Sequence, residues 1–150
     1  MNNRFFDIAF DEAKKAFDDN EVPVGAVVVK DDKVLGKGYN KKEKKRCSLY
    51  HAEVEAIYEA SKNIGNWRLE DCDIYVTLSP CPMCASLIKQ SRIRNVYSGI
   101  VSSDPNNELI INKIFDKDSS NPKVNYFINL DVDRNRKILN DFFQKRRNKE

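Results

Sequence analysis

The sequence predicts a three-layer α/β domain, with helices covering both faces of a largely buried sheet. Three observations point there. The elements run in the order hairpin, helix, strand, helix, strand. The stretch Val24 to Val29 is continuously apolar and rich in β-branched residues, as in a strand covered on both faces. The length of 150 residues, 41% apolar and 33% charged, suits a single domain over 1–150 with a real core.

Each element has its own signal. Phe6, Ala9, Phe10, Ala13, Ala16 and Phe17 recur at helical spacing, so residues 3–19 read as an amphipathic helix. Pro23 and Gly25 punctuate the chain before the apolar run. Asp31-Asp32-Lys33 is a tight polar turn, and Val34 to Tyr39 returns as the second strand of a hairpin. Residues 40–49 are polar and read as a loop. Ala52, Val54, Ile57, Tyr58 and Ala60 mark a helix over about 51–63, ended by Gly65-Asn66. Ile74 to Leu78 is a third strand. Ser79-Pro80 leads into a helix over about 81–91, with proline beside its first turn. Asn95 to Val101 is a fourth strand. Residues 102–108 read as a loop, Leu109 to Phe115 as a short helix and Val124 to Ile128 as a strand. A terminal helix follows over 131–147, with Ile138, Leu139, Phe142 and Phe143 on its apolar side.

Composition excludes some classes of function. No stretch approaches the roughly 20 apolar residues a membrane span needs. The N-terminus mixes acids with its apolar residues and shows no small-residue cleavage site, so it reads as part of the folded protein and the expected compartment is the cytoplasm. There, Cys47, Cys72, Cys81 and Cys84 are expected as thiols or metal ligands. The net charge of +3 does not by itself indicate a nucleic-acid partner. Two basic runs, Lys41 to Arg46 and Lys145 to Lys149, are either solvated faces or phosphate-contacting patches.

The chemistry concentrates in His51-Ala52-Glu53 and Pro80-Cys81-Pro82-Met83-Cys84. Cysteines three apart on the first turn of a helix place both sulfurs on one side, within reach of one ion. The positive end of the helix favours the thiolate form that a metal requires. His51, the one histidine of the chain, starts another helix and supplies a third ligand. Three protein ligands with a fourth position open is the pattern of a catalytic zinc site, because structural sites are usually closed by four. Glu53 is too near His51 in sequence to ligate easily in the same orientation. It is well placed to take a proton from a water whose pKa zinc lowers to about 7, and to hand that proton on as an acid. Other readings remain. The Cys-x-x-Cys pair suits redox chemistry, and Cys47, four residues before His51, or Cys72 could close a structural site. Cys72 is most simply a small buried residue.

His-Ala-Glu followed about thirty residues later by Pro-Cys-x-x-Cys resembles the cytidine deaminase-like superfamily of zinc deaminases. The likeness is closer to the bacterial tRNA-specific adenosine deaminases. It is carried by Glu21 to Val27, Asn66-Trp67-Arg68-Leu69, Tyr75 to Leu78, Pro80 to Ala85, Ser91-Arg92-Ile93, and Asp141 to Phe143 with Arg146-Arg147.

The resemblance implies a three-layer α/β/α cytidine deaminase-like fold with a five-stranded mixed sheet. It implies a homodimer with one Zn2+ per subunit on His51, Cys81 and Cys84, and Glu53 as the proton shuttle. The implied substrate is the wobble adenosine in a tRNA anticodon loop, converted to inosine. Asn40 matches the base-contacting asparagine of the family; a turn residue after the second strand is the alternative. The backbone N–H of Ala52 would orient the base, and Val24 and Leu78 would line its pocket. An anticodon loop offers unpaired bases that can be splayed out at little cost, and its phosphates suit the basic runs. A deaminase of a free base such as guanine or cytosine, and an inactive tRNA-binding subunit with structural zinc, are the rival expectations. The chain departs from the family at Ser79, where glutamate is usual, and at Cys47-Ser48-Leu49-Tyr50, where Asp-Pro-Thr-Ala is usual. Beyond Gly99 the match breaks. The family's loop aspartate falls on Ser102 or, with a small insertion, on Asp104.

Overall fold

The computed structural model describes residues 2–116 and 122–149. The element order is α1 (Asn3–Asp18), β1 (Gly25–Lys30), β2 (Lys33–Tyr39), α2 (Lys42–Lys45), α3 (Ala52–Ile64), β3 (Asp73–Leu78), α4 (Pro82–Gln90), β4 (Asn95–Ile100), α5 (Pro105–Phe115), β5 (Asn125–Phe127) and α6 (Val132–Arg147). The strands form one sheet in the order β2-β1-β3-β4-β5. β1 pairs antiparallel with β2 and β3, while β3–β4 and β4–β5 are parallel, so the sheet is mixed as expected.

Alternation along the central strands divides the core. Ala26, Val28, Ile74, Val76 and Val96 pack with Ala52, Ala56, Ile57 and Ala60 of α3, Ala85 and Ile88 of α4, and Ile111 and Phe115 of α5. Val27, Val29 and Tyr75 face the other way, onto Phe5, Phe6 and Ala9 of α1. α6 lies on that second side, against β4 and α1. Because both faces are covered, β1 reads as an unbroken apolar run rather than an alternating one.

The hairpin and the crossover bring distant residues to one end of the sheet. Gly25 at the start of β1 pairs with Tyr39 at the end of β2. Ala26 pairs with Val76, two residues before β3 ends. Val24, Asn40 and the turn after Leu78 therefore share an edge, the place where open α/β sheets bind ligands. α3 can start there because it lies directly on β2. A Cβ at Gly38 would stand 2.7 Å from the carbonyl oxygen of Ala52 and 2.6 Å from Cβ of Glu55. At the other end of α3, Gly65 stops the helix with φ at +72°. Replacing Gly38 with alanine should push the first turn of α3 off the sheet. The expected cost is about 1–3 kcal/mol of overpacking, read as a lower Tm with weaker metal uptake.

Four local expectations are corrected. The stretch 40–49 is not wholly loop, because it contains α2. That helix has no buried residue of its own; the carboxylate of buried Glu21 accepts from the backbone N–H groups of Glu43 (3.0 Å) and Lys44 (2.7 Å) and holds it in place. Residues 102–108 are not all loop, because α5 begins at Pro105. Asp104 caps it by accepting from the N–H of Asn106 at 3.0 Å, and proline occupies the first turn. On α1 the buried face is rotated: Phe5 and Glu12 are buried, while Phe10 and Phe17 are half-buried. On α6 Phe142 is buried, but Phe143 is exposed. Of the outer helices, α5 is anchored by buried Lys89 of α4, whose ammonium donates to the carbonyls of Ile114 and Asp116.

Candidate active site

Two helix N-termini converge at the shared edge. His51 is the N-cap residue of α3 and Cys81 the N-cap residue of α4, with Pro82 opening the helix and Cys84 on its first turn. The Nδ1 atom of His51 lies 3.5 Å from Sγ of Cys84 and 3.7 Å from Sγ of Cys81. All three ligand atoms fall within 4.8 Å of one another, and among the described residues these three form the group able to hold a metal ion. Cys47 and Cys72 stand outside it, the first exposed and the second buried.

The spacing can be tested against zinc. Bonds of about 2.3 Å to sulfur and 2.0 Å to nitrogen at a tetrahedral angle separate the two donor atoms by about 3.5 Å. The observed separations of 3.5 and 3.7 Å match this without rearrangement. One imidazole and two thiols are also a donor set that zinc favours.

Hydrogen bonding within the trio sets its protonation. The Cys81 thiol is held down to about 4, chiefly by the hydrogen bond it accepts from the Cys84 thiol and then by His51. Cys84 is pushed far up, because it donates that bond and is buried. His51 is raised by its hydrogen bond to Cys81. Without an ion, then, the trio carries one thiolate and one thiol beside an imidazole whose affinity for a proton is raised. A metal must displace the proton on Cys84 and compete with protons for His51. Zinc uptake at pH 7 should release roughly one to two protons per chain, and affinity should climb with pH. Calorimetric titration in buffers of different ionisation enthalpy measures both.

Glu53 is 3% exposed, on the first turn of α3. Burial pushes its carboxyl up to about 7, against the opposing pull of its own backbone N–H and of His51. A carboxyl poised there can both take and give a proton near neutral pH.

These groups open into a cavity of about 210 Å³ lined by Val22, Val24, Asn40, Lys42, His51, Ala52, Glu53, Leu78, Ser79 and Cys81. Asn40, Ala52, Val24 and Leu78 all stand in its wall, beside His51, Glu53 and Cys81. Cys84 is fully buried behind the wall and joins the cluster through His51. The Asn40 amide donates to the Val22 carbonyl (3.4 Å) and accepts from the Lys42 N–H (3.2 Å), so it also braces the turn into α2. Ala52 is the first residue of α3, where backbone N–H groups lack intrahelical partners. Lys41, beside Asn40, is tied to Glu55 of α3 by an ion pair. The sequence does not assign Val22, Lys42 or Ser79 to the cavity; it marks Lys42 only within a basic run and Ser79 only as a departure from the family. Their residue types carry no chemical signal, and only their closeness to the quoted motifs hinted at them. Ser102 lines an adjoining groove with Val22 and Leu78, while Asp104 is an exposed cap residue.

Comparison with known proteins shows the family of the chain. The model of the MafB19-like deaminase family matches residues 1–147. Over 144 residues the chain is 35% identical to a tRNA-specific adenosine deaminase of Aquifex aeolicus, covering 96% of this chain and 95% of that protein. A stretch of 88 residues is 53% identical to the chloroplastic tRNA(adenine(34)) deaminase of Arabidopsis thaliana; it covers 59% of this chain and only 7% of that much longer protein. A solved structure from work on A-to-I editing by tRNA:A34 deaminases at the wobble position of transfer RNA superposes with a TM-score of 0.83. The two are 32% identical, over 92% of this chain and 100% of that one. The chain belongs to the MafB19-like deaminase family, by the match over residues 1–147, and to the family of the tRNA-specific adenosine deaminases, by its likeness to the Aquifex aeolicus protein over nearly its whole length.

Proposed function

We propose that this protein hydrolyses the adenosine at the wobble position of a tRNA anticodon to inosine, with His51, Cys81 and Cys84 holding one zinc ion per subunit. The observation that carries the reading is a buried carboxyl, Glu53, beside a three-ligand set in one base-sized cavity. Similarity to tRNA-specific adenosine deaminases over nearly the whole chain supplies the substrate class. Zinc bound there would lower the pKa of a water to about 7.

The residues then divide the work. Glu53 accepts the proton of the attacking water and passes it to the ring nitrogen beside the amine-bearing carbon. It next takes the proton of the hydroxyl newly bonded to that carbon and delivers it to the amine as the carbon–nitrogen bond breaks, so that adenosine and water give inosine and ammonia. Asn40 spends one donor and one acceptor on the backbone, which leaves one of each for a base edge. The Ala52 N–H serves as a fixed donor to the base. Val24 and Leu78 form apolar walls against which a planar ring lies flat. Lys41 to Arg46, beside the cavity mouth, and Lys145 to Lys149 at the end of α6 supply charge for the phosphates of the anticodon stem-loop. The reading includes a homodimer, which would cover exposed apolar residues such as Met83 of α4 and Leu109 and Ile110 of α5. It also includes a cytoplasmic location, where tRNA is processed. Among the described residues no helix is long and apolar enough to cross a membrane.

An anticodon stem-loop assay tests the reading. Inosine should form when adenosine occupies the first anticodon position and not when it is moved one position along. Free adenosine, cytosine and guanine should be left intact. Turnover of guanine with no inosine in the stem-loop would reject the tRNA substrate.

A further inference from the structure

The turn that delivers Cys81 is held from outside the site by a chain of hydrogen bonds that ends on a carboxylate. Ser79 and Pro80 join β3 to the N-cap residue of α4. The Ser79 hydroxyl lies 2.9 Å from the Tyr126 phenol oxygen, which lies 2.7 Å from Oε2 of Glu108 on α5. A phenol has one proton. The carboxylate is the stronger acceptor and the nearer, so Tyr126 donates to Glu108 and its oxygen is left to accept from the Ser79 hydroxyl, for which it is a nearer acceptor at 2.9 Å than the Ile100 carbonyl at 3.3 Å. Ser98 completes the row, with its hydroxyl 3.1 Å from that of Ser79. The backbone of the turn is fixed as well. The Ser79 N–H donates to the Ile100 carbonyl at 2.8 Å, and the Asn107 amide donates to the Pro80 carbonyl at 3.3 Å.

Asn107 and Glu108 are neighbours near the start of α5, whose first turn Asp104 and Pro105 set in place. The start of α5 therefore supplies two of the groups that grip the Cys81 turn, one directly and one through Tyr126. The remaining partner, Tyr126 on the edge strand β5, packs its ring against Phe115 of α5 with centroids 5.2 Å apart. A hydrogen-bond chain running from a carboxylate is geometrically selective. It holds Ser79 in one rotamer, and the Cys81 sulfur emerges two residues further on.

We infer that Glu108, acting through Tyr126 and Ser79, is a positioning residue that pre-sets the Cys81 arm of the metal site. The inference rests on His51, Cys81 and Cys84 being the zinc ligands. Partners that orient ligands from behind contribute strongly to metal affinity, and their loss costs roughly 10–100-fold.

Zinc affinity of the folded, metal-free protein tests it, measured by competition with a chromogenic chelator, with the cobalt(II) spectrum as a probe of thiolate geometry. Glu108→Ala and Tyr126→Phe should each weaken zinc binding by about tenfold or more and shift the thiolate-to-cobalt band. Glu108→Gln keeps an acceptor for Tyr126 and should stay within about threefold of the unsubstituted protein. Ile111→Val, a core change on the same helix, should lower the Tm of the metal-free protein with affinity unmoved. Unchanged affinity in Glu108→Ala and Tyr126→Phe overturns the inference and leaves the ligand set standing. So does a Glu108→Gln protein as weak as Glu108→Ala, or an Ile111→Val protein that loses affinity in step with its Tm. An unsubstituted protein that takes up no zinc overturns the ligand assignment itself.

Discussion

Glutamine in place of Glu53 is expected to slow deamination by about 10²–10⁴-fold while zinc content stays at one ion per chain. The exchange keeps the size of the side chain and its ability to hydrogen-bond, and removes only its capacity to carry a proton. A protein whose zinc served structure alone, with tRNA merely bound, would not depend on that proton. The comparison therefore also separates the enzyme from an inactive binding subunit. The same substitution has a second expected result in the metal-free protein. Burial raises the Glu53 carboxyl from 4.5 to about 7. Between those values the folded state holds a proton that the unfolded chain has released, so the native protein loses stability as pH rises through this window. Glutamine removes the effect. Denaturation across pH should show the unsubstituted metal-free protein falling behind Glu53→Gln by up to about 3 kcal/mol between pH 4.5 and 7, with the gap constant above.

Loss of a ligand should be more severe. His51→Ala or Cys84→Ser is expected to weaken zinc binding by well over a hundredfold and to abolish turnover at ordinary zinc concentrations. Cys84 is fully buried behind the cavity, so no solvent-exposed group can easily take its place. His51 Nδ1 stands within 3.7 Å of both sulfurs. Cys47→Ser, by contrast, should leave zinc content and rate unchanged, because Cys47 is exposed and outside the ligand group. Zinc analysis of the purified variants with parallel rate measurements checks all three.

The features legible in the sequence were those with local physical signatures. The strand β1 was visible because a strand covered on both faces is apolar throughout. The ends of α3 and α4 were visible because Gly65 and the proline beside Cys81 mark boundaries through backbone geometry. The metal group was visible because its ligand types are few and its spacing is fixed by one turn of helix. What was missed depends on tertiary contacts. Four charged residues, Lys42 to Lys45, form a helix only because Glu21, some twenty positions earlier, folds back to bind two of their N–H groups. Asp104-Pro105 is a sound helix start, but Asn106 and Asn107 are weak helix formers and Leu109 and Ile110 are exposed, so periodicity gave no support. On α1, Phe10 and Phe17 fit the apolar stripe as well as Phe5, and only contact with the sheet decides which are buried. Ser79 stands out in the sequence only as a departure from the family's glutamate, which says nothing of its partners. Its part in the site emerges when β5 and α5 bring Tyr126 and Glu108 alongside.

The central claim is that one imidazole and two thiolates share an ion whose remaining coordination no protein sulfur completes. X-ray absorption at the zinc edge of the purified protein measures this most directly. The expected spectrum has two sulfur neighbours at about 2.3 Å, with nitrogen or oxygen at about 2.0 Å making up the rest. Three or four sulfur neighbours, or a two-sulfur shell that survives in Cys84→Ser, would contradict it.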